Sequence, residues 1–249
     1  MNAREIVVTP GPAELAQEAG RRLVAIAQQA VARKGEFNVA LAGGSTPAGL
    51  YRLLAQDAYR EAVEWQRTFV YFTDERCVPP DHEDSNYRMA REALLDHISI
   101  PQANVFRMAG ELEPSEAAAF YEAILRQDFS LRGRSRPRFD LILLGMGEDG
   151  HTASLFPGML ATQERRRLVL TTQAPANVRP AVPRLTLSYV VLNAAANVIF
   201  LISGTSKAAM VQQALSETEP DRDIPARHVR PQHGQVTWLL DQDAAAGLS

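Results

Sequence analysis

The chain has 249 residues, 26 Lys and Arg against 29 Asp and Glu for a net charge of −3, and 46% apolar residues, an ordinary globular composition. The lone cysteine, Cys77, rules out an internal disulfide framework and fits a reducing cytoplasm, while the slightly acidic total argues against a nucleic-acid partner, which calls for a basic face. The most apolar stretch, residues 190–203, is interrupted by Asn193 and Asn197 and is shorter than the ~20 residues of a membrane span, so no membrane partner is expected.

At this length roughly three quarters of the unfolded surface can be buried, enough for one large core, and a single domain over residues 1–249 is expected. The opening MNAREIVVTPGP breaks at Pro10 and Gly11 before reaching signal-peptide length and reads as a first strand, 6–9. Residues 12–34 place Leu15, Ala19, Leu23, Ile26 and Ala30 at helical spacing and end in basic residues, which predicts a helix. Strands follow at 38–42, 68–73, 139–144, 168–172, 198–203 and 236–240. Between them lie a helix that follows Asp84 or Ser85 as N-cap, with Tyr87, Ala90, Leu94 and Ile98 on one face, and another over 113–128. The segment LRGRSRPRF at 131–139, with Arg132, Arg134, Arg136 and Arg138, reads as a solvated loop. FNVALAGG and FDLILLGMG lack period-two alternation, as strands covered on both faces do. The fold expected is α/β: a doubly wound, mostly parallel sheet flanked by helices, Rossmann-like.

In such sheets ligands bind outside the carboxyl ends of the strands, so the residues after each strand matter most. After 38–42 comes Gly43-Gly44-Ser45-Thr46-Pro47. One reading is structural: a glycine turn, Thr46 as N-cap and Pro47 as the first helical residue. The other is an anion site, since amides and two hydroxyls point out of a helix N-terminus; the P-loop spacing and its lysine are absent. After 68–73 comes Asp74-Glu75-Arg76. Adjacent acids on an extended chain face opposite ways, so only one of Asp74 and Glu75 can meet the crevice. Arg76 faces as Asp74 does and can pair with it, meet an oxyanion, or form a surface ion pair. Cys77 beside it has no assigned role.

After 139–144 comes Gly145-Met146-Gly147-Glu148-Asp149-Gly150-His151, a formal G-x-G-x-x-G. The ribose-binding acid that a dinucleotide site places about twenty residues on is missing, and Glu148, Asp149 and His151 crowd the loop, which favours a catalytic cluster over a cofactor cradle. Asp149 is close enough to accept a hydrogen bond from one ring nitrogen of His151 and leave the other as a base, with Thr152 or Ser154 left to cap the next turn. His82, His97, His228 and His233 have no comparable setting. Asp149, His151 and Asp74 match no metal-ligand spacing, so neither a required metal nor a cofactor is expected. After 198–203 comes Gly204-Thr205-Ser206-Lys207.

In these blocks, together with Asp84-Ser85-Asn86-Tyr87, the continuation Thr152-Ala153-Ser154-Leu155-Phe156-Pro157 and Arg184-Leu185-Thr186, the chain resembles, over essentially its whole length, the 6-phosphogluconolactonases of the pentose phosphate pathway, related to glucosamine-6-phosphate deaminases. The block from Gly145 to Pro157 is the specific one. The resemblance implies that Gly43, Gly44, Ser45, Thr46, Arg184 and Lys207 hold the 6-phosphate of the substrate. His151 would be the catalytic base, Asp149 its companion, and Asp74 and Arg76 would line the ring. Related deaminases carry an acid five residues after the loop histidine, where this chain has Phe156, so a lactonase reading stands ahead of a sugar-phosphate isomerase or deaminase. A non-catalytic sugar-phosphate sensor ranks behind, because no helix-turn-helix pattern precedes Ile6. The mechanism implied is hydrolysis of 6-phospho-D-glucono-1,5-lactone by a monomeric cytoplasmic enzyme. His151 would activate water, and Arg76 or a backbone N–H near Gly147 would stabilise the oxyanion.

Overall fold

A computed structural model of the chain describes residues 4–134, 136–216, 218 and 223–248. Strand β1 (Arg4–Thr9) leads into α1 (Pro12–Lys34), where Pro12 opens the helix at no cost in hydrogen bonds and Gly35, at φ 81°, closes it with its N–H on the Val31 carbonyl. There follow β2 (Phe37–Leu41), α2 (Ser45–Leu54), the short α3 (Asp57–Arg60), β3 (Thr68–Phe72), β4 (Asp74–Arg76), α4 (Asn86–Ala93), α5 (Pro114–Leu131) and β5 (Leu141–Leu144). The second half supplies β6 (Val169–Gln173), β7 (Pro183–Leu187), α6 (Tyr189–Leu192), β8 (Asn197–Ile202), α7 (Ala208–Leu215) and β9 (Gln235–Asp241).

Six strands form one parallel sheet in the order β1-β9-β8-β5-β2-β3. The apolar runs of β2 and β5 are buried throughout, as expected of central strands covered by helices on both faces. The chain builds outward from β2 to β3 on one side and from β5 through β8 to β9 on the other. The winding therefore reverses between β2 and β5, and the loops that leave these two strands flank the resulting crevice.

Strand β3 is an edge, bridged at Val70 by Val105, and Tyr121 of α5 reaches it. The hydroxyl of the fully buried Tyr121 accepts from Phe72 N–H at 3.0 Å and donates to the part-buried Phe106 carbonyl at 3.1 Å. Tyr121→Phe leaves that donor and that acceptor without their partner, which costs about 1–3 kcal/mol. The measurement is urea unfolding: the midpoint falls at unchanged slope.

Two features depart from the sequence-based expectation. A second sheet, antiparallel in the order β4-β7-β6, sits past the carboxyl end of β3. Residues 168–172 join this small sheet instead of the parallel one, Asp74–Arg76 is a strand instead of a loop, and β7 was not anticipated. The physical reason is that β4 is a three-residue charged segment whose conformation is imposed by its pairing with β7, while Pro183 at the first position of β7 hides an alternating strand. The other departure is the start of α2. Its N-cap is Gly44, at φ 103°, so Ser45 and Thr46 lie inside the first turn and Pro47 is the third helical residue. Thr46 is not the cap. Pro47 still costs no hydrogen bond, because the first four N–H groups of a helix have no partner within it.

No helix among the described residues is long and apolar enough to cross a membrane.

Candidate active site

The loops after β2, β5 and β8 and the small sheet enclose a cavity of about 240 Å³. The first wall is the turn into α2: Gly43, Gly44, Ser45 and Thr46 all line the cavity, and the free amides of the first helical turn lie at its edge. Only Gly44 of the two glycines needs a positive φ. Gly43 is required for space, since a Cβ there would fall 1.9 Å from Asn86 Oδ1.

The second wall is the loop after β5. Asp149 and His151 form the local pair their spacing predicts: His151 Nδ1 donates to Asp149 Oδ1 at 2.5 Å, and the His151 backbone N–H donates to the same oxygen at 3.1 Å. A carboxylate can only accept, so the Nδ1 proton is fixed and Nε2 is the basic nitrogen of a ring that lines the cavity. Burial works to raise the Asp149 carboxyl, but the hydrogen bonds and charge of His151 outweigh it and hold the group below the ordinary aspartate value. Phe156 packs its ring 4.7 Å from the imidazole, and Gly147 leaves the space that the imidazole and carboxylate occupy. The Gly147 N–H donates to the His151 carbonyl at 2.9 Å, so it is already committed. Glu148 is exposed and does not line the cavity. Thr152 and Ser154 do not cap a turn. Thr152 Oγ1 donates to the Gly145 carbonyl, and Ser154 Oγ donates to Asp74 Oδ2 at 2.7 Å. Between them Ala153 holds φ 47°, a conformation that non-glycine residues rarely adopt and that concentrates at functional sites.

The third wall is the small sheet. Arg76 on β4 and Arg184 on β7 are register partners, so two guanidinium side chains leave directly opposite positions of one sheet face and line one cavity. Arg184 is 3% exposed. Its Nη2 donates to the Pro180 carbonyl and Arg76 Nη1 to the Asp84 carbonyl, while the Nε–H of each is buried without a partner among the described residues. Burial first, and the Arg76 charge second, push the Arg184 guanidinium down from its ordinary value, though an arginine stays charged. Two like charges held together with unspent donors are costly unless an anion sits between them. Asp74 faces the cavity and Glu75 faces away, as adjacent positions on a strand require. Glu75, buried and raised chiefly by that burial, accepts from the backbone N–H groups of Arg76, Asn86 and Tyr87 and from Ser85 Oγ, which pins the start of α4.

Lys207 closes the site from the loop after β8. Asp241 accepts from Ser203 Oγ and Gly204 N–H and so fixes the turn that carries it. No hydrogen bond or ion pair engages the Lys207 ammonium among the described residues. The expected residues are thus brought together, with Asp149 one layer behind His151. Four other polar residues line the cavity without having been given a site role from sequence: Asn86, Ser154, Ser203 and the exposed Arg179. Among the described residues no three His, Cys, Asp or Glu side chains converge as metal ligands would. Cys77 is half-buried, and burial pushes its thiol up to about 11, which makes it a poor nucleophile. The site therefore offers a base, an anion-binding face and a buried carboxylate in one small cavity.

Comparison with known proteins gives the same direction. Residues 10–238 match the family model for glucosamine-6-phosphate isomerases/6-phosphogluconolactonase. A 6-phosphogluconolactonase from Synechocystis is 41% identical over 221 residues, 88% of each chain. The solved structure of 6-phosphogluconolactonase from Trypanosoma brucei superposes with a TM-score of 0.88 at 35% identity, covering 100% of both chains. A monomeric glucosamine-6-phosphate deaminase shares the fold at a TM-score of 0.81 and 25% identity, over 98% of this chain and 99% of that one.

Proposed function

This chain belongs to the glucosamine-6-phosphate isomerase/6-phosphogluconolactonase family, and within it we propose a lactonase that hydrolyses 6-phospho-D-glucono-1,5-lactone to 6-phospho-D-gluconate in the oxidative pentose phosphate pathway. The observation that carries the reading is His151, held by Asp149, lining the same cavity as the Arg76–Arg184 pair, a base beside an anion site. Arg184, Lys207 and the Gly43–Thr46 turn hold the phosphate. Arginine supplies a planar fork, lysine a point charge, and the helix amides a fixed positive end.

With the phosphate anchored, His151 Nε2 takes a proton from water as the water oxygen attacks the C1 carbonyl carbon, and Asp149 steadies the imidazolium. Negative charge moves onto the carbonyl oxygen, where the Arg76 guanidinium that lines the cavity meets it; the Gly147 N–H is spent on His151 and does not compete. Collapse of the tetrahedral intermediate breaks the C1–O5 bond. The imidazolium returns its proton to O5, and the product leaves as a carboxylate plus a released proton. No metal or cofactor enters this balance. The same reading takes residues 1–249 as a single catalytic domain, since the core of the small sheet is continuous with that of the large one, and carries with it a monomer in the cytoplasm.

Hydrolysis of freshly made lactone, followed against its spontaneous opening, tests the proposal. Ammonia release from glucosamine 6-phosphate tests the deaminase alternative, which Phe156 argues against. Lys207→Ala is expected to raise KM about tenfold or more with kcat little changed, because a charged hydrogen bond made equally in ground and transition states affects binding alone. Unaltered affinity of that variant for 6-phosphogluconate would show that the anchor lies elsewhere.

A further inference from the structure

Three buried polar side chains of the cavity, Asp74, Asn86 and Ser154, have no part in this scheme. Asn86, the first residue of α4, is 2% exposed and lines the cavity beside Asp74. Its orientation is fixed twice over. Nδ2 donates to the Asp74 carbonyl at 2.9 Å and to Asp74 Oδ1 at 3.2 Å, so the amide nitrogen and oxygen cannot be exchanged. From below, Glu75 accepts the Asn86 backbone N–H at 2.7 Å and holds the helix start in place. Oδ1 is left over. No donor reaches it among the described residues, and Gly43 lacks a side chain where a Cβ would collide with it at 1.9 Å.

The rest of the cavity's polar lining is dominated by donors: the guanidiniums of Arg76, Arg179 and Arg184, the Lys207 ammonium and the amides of the α2 turn. Asp74 and Asn86 Oδ1 form its acceptor side. Asp74 accepts from Ser154 Oγ and Asn86 Nδ2 and pairs with no cation among the described residues. Donors select the anionic end of a substrate; acceptors select groups that bring a proton. On a sugar lactone those groups are the ring hydroxyls.

We propose that Asn86 is a specificity residue whose Oδ1 accepts a hydrogen bond from a ring hydroxyl of the lactone, with Asp74 beside it as the second acceptor. Gly43 is then doubly used: its backbone belongs to the anion-binding turn, and its missing side chain makes room for the amide that reads the sugar. A site built to bond a hydroxyl rejects the analogue that lacks it, because its own polar group is left unpaired.

The inference rests on the lactonase reading, and its test separates the two. Hydrolysis of 6-phosphogluconolactone and of its 2-, 3- and 4-deoxy analogues is measured for the wild type, Asn86→Ala and Asn86→Asp. The wild type is expected to disfavour at least one deoxy lactone, and Asn86→Ala to shrink that kcat/KM ratio about tenfold or more. Asn86→Asp keeps an oxygen in place but gives up the bonds to Asp74, so it is expected to lower kcat while retaining the discrimination. If Asn86→Ala is insoluble, Asn86→Ser, which is too short to present an acceptor at the same point, gives the same readout. Should Asn86→Ala or Asn86→Ser keep all three ratios, or Asn86→Asp lose them equally, the specificity role is overturned and the lactonase reading stands. A wild type no faster than spontaneous opening of the parent lactone overturns the reading itself.

Discussion

His151→Ala is expected to lower kcat by about 10²-fold or more while KM stays near the wild-type value. The size follows from the loss of a positioned general base, which contributes 10²–10⁴ in rate. The constancy of KM follows from where the anion-binding groups sit: Arg184 on β7, Lys207 after β8 and the turn into α2 owe nothing to the imidazole for their positions. Asp149→Asn is the informative companion. It keeps the shape of the side chain but offers Nδ1 a neutral partner, so the imidazolium loses its countercharge and the drop falls mainly in kcat. Stopped-flow or pH-indicator measurement on fresh lactone reads both, with spontaneous opening subtracted. A His151→Ala variant that turns over at the wild-type rate would remove the imidazole from the reaction.

The difference between what the sequence disclosed about this site and what it hid is a matter of sequence distance. Asp149 and His151 lie two residues apart, so their contact is dictated by a local turn and can be read without knowing the fold. The β2 and β5 strands are unbroken apolar runs, and the rule that ligands gather at strand carboxyl ends then directs attention to the Gly43 and Gly145 loops. The small sheet escapes this logic. The segment Asp74–Arg76 has no strand propensity of its own, and its alignment with Arg184 is a register between positions more than a hundred residues apart. Ser154 reads as a cap, and Asn86 merely follows the cap candidates Asp84 and Ser85, of which Ser85 does serve, accepting from Arg88 N–H. Ser154 instead bonds Asp74 across 80 residues, and Asn86 packs against Gly43. The same holds for Gly43 and Gly147: their need for glycine lies in space taken by a distant or folded-back side chain, not in backbone angle.

Charge tells a parallel story. A chain of net charge −3 repels anions on average, so affinity for a phosphate must be concentrated. Arg184 supplies that concentration, and its place opposite Arg76 comes at a cost in fold stability, since opposite positions of a strand pair are an unfavourable place for two like charges. Lys207 and Arg179 add positive charge at the same cavity, which raises the local concentration of an anionic substrate in a salt-dependent way.

Gly147→Ala is expected to reduce activity nearly as far as His151→Ala, about 10²-fold in kcat, through a single methyl group that touches no substrate. A Cβ on Gly147 would lie 2.1 Å from His151 Nδ1, 2.2 Å from Cε1 and 2.5 Å from Asp149 Oδ1. None of these atoms can yield cheaply. The imidazole is held by Asp149 on one side and packed against the Phe156 ring, itself 1% exposed. Relief therefore comes from rotating the imidazole off the carboxylate, which breaks the hydrogen bond that fixes the tautomer and turns Nε2 away from the water it must deprotonate. Because Gly147 does not hold a positive φ, alanine fits its backbone, and the loss appears in kcat more than in the urea midpoint. Gly49→Ala supplies the control. That glycine lies within α2 with open space where its Cβ would go, so the same substitution is expected to leave activity unchanged and to add about 0.5–1 kcal/mol of stability. Wild-type turnover in Gly147→Ala would mean that the imidazole does not act from the position in which Asp149 holds it.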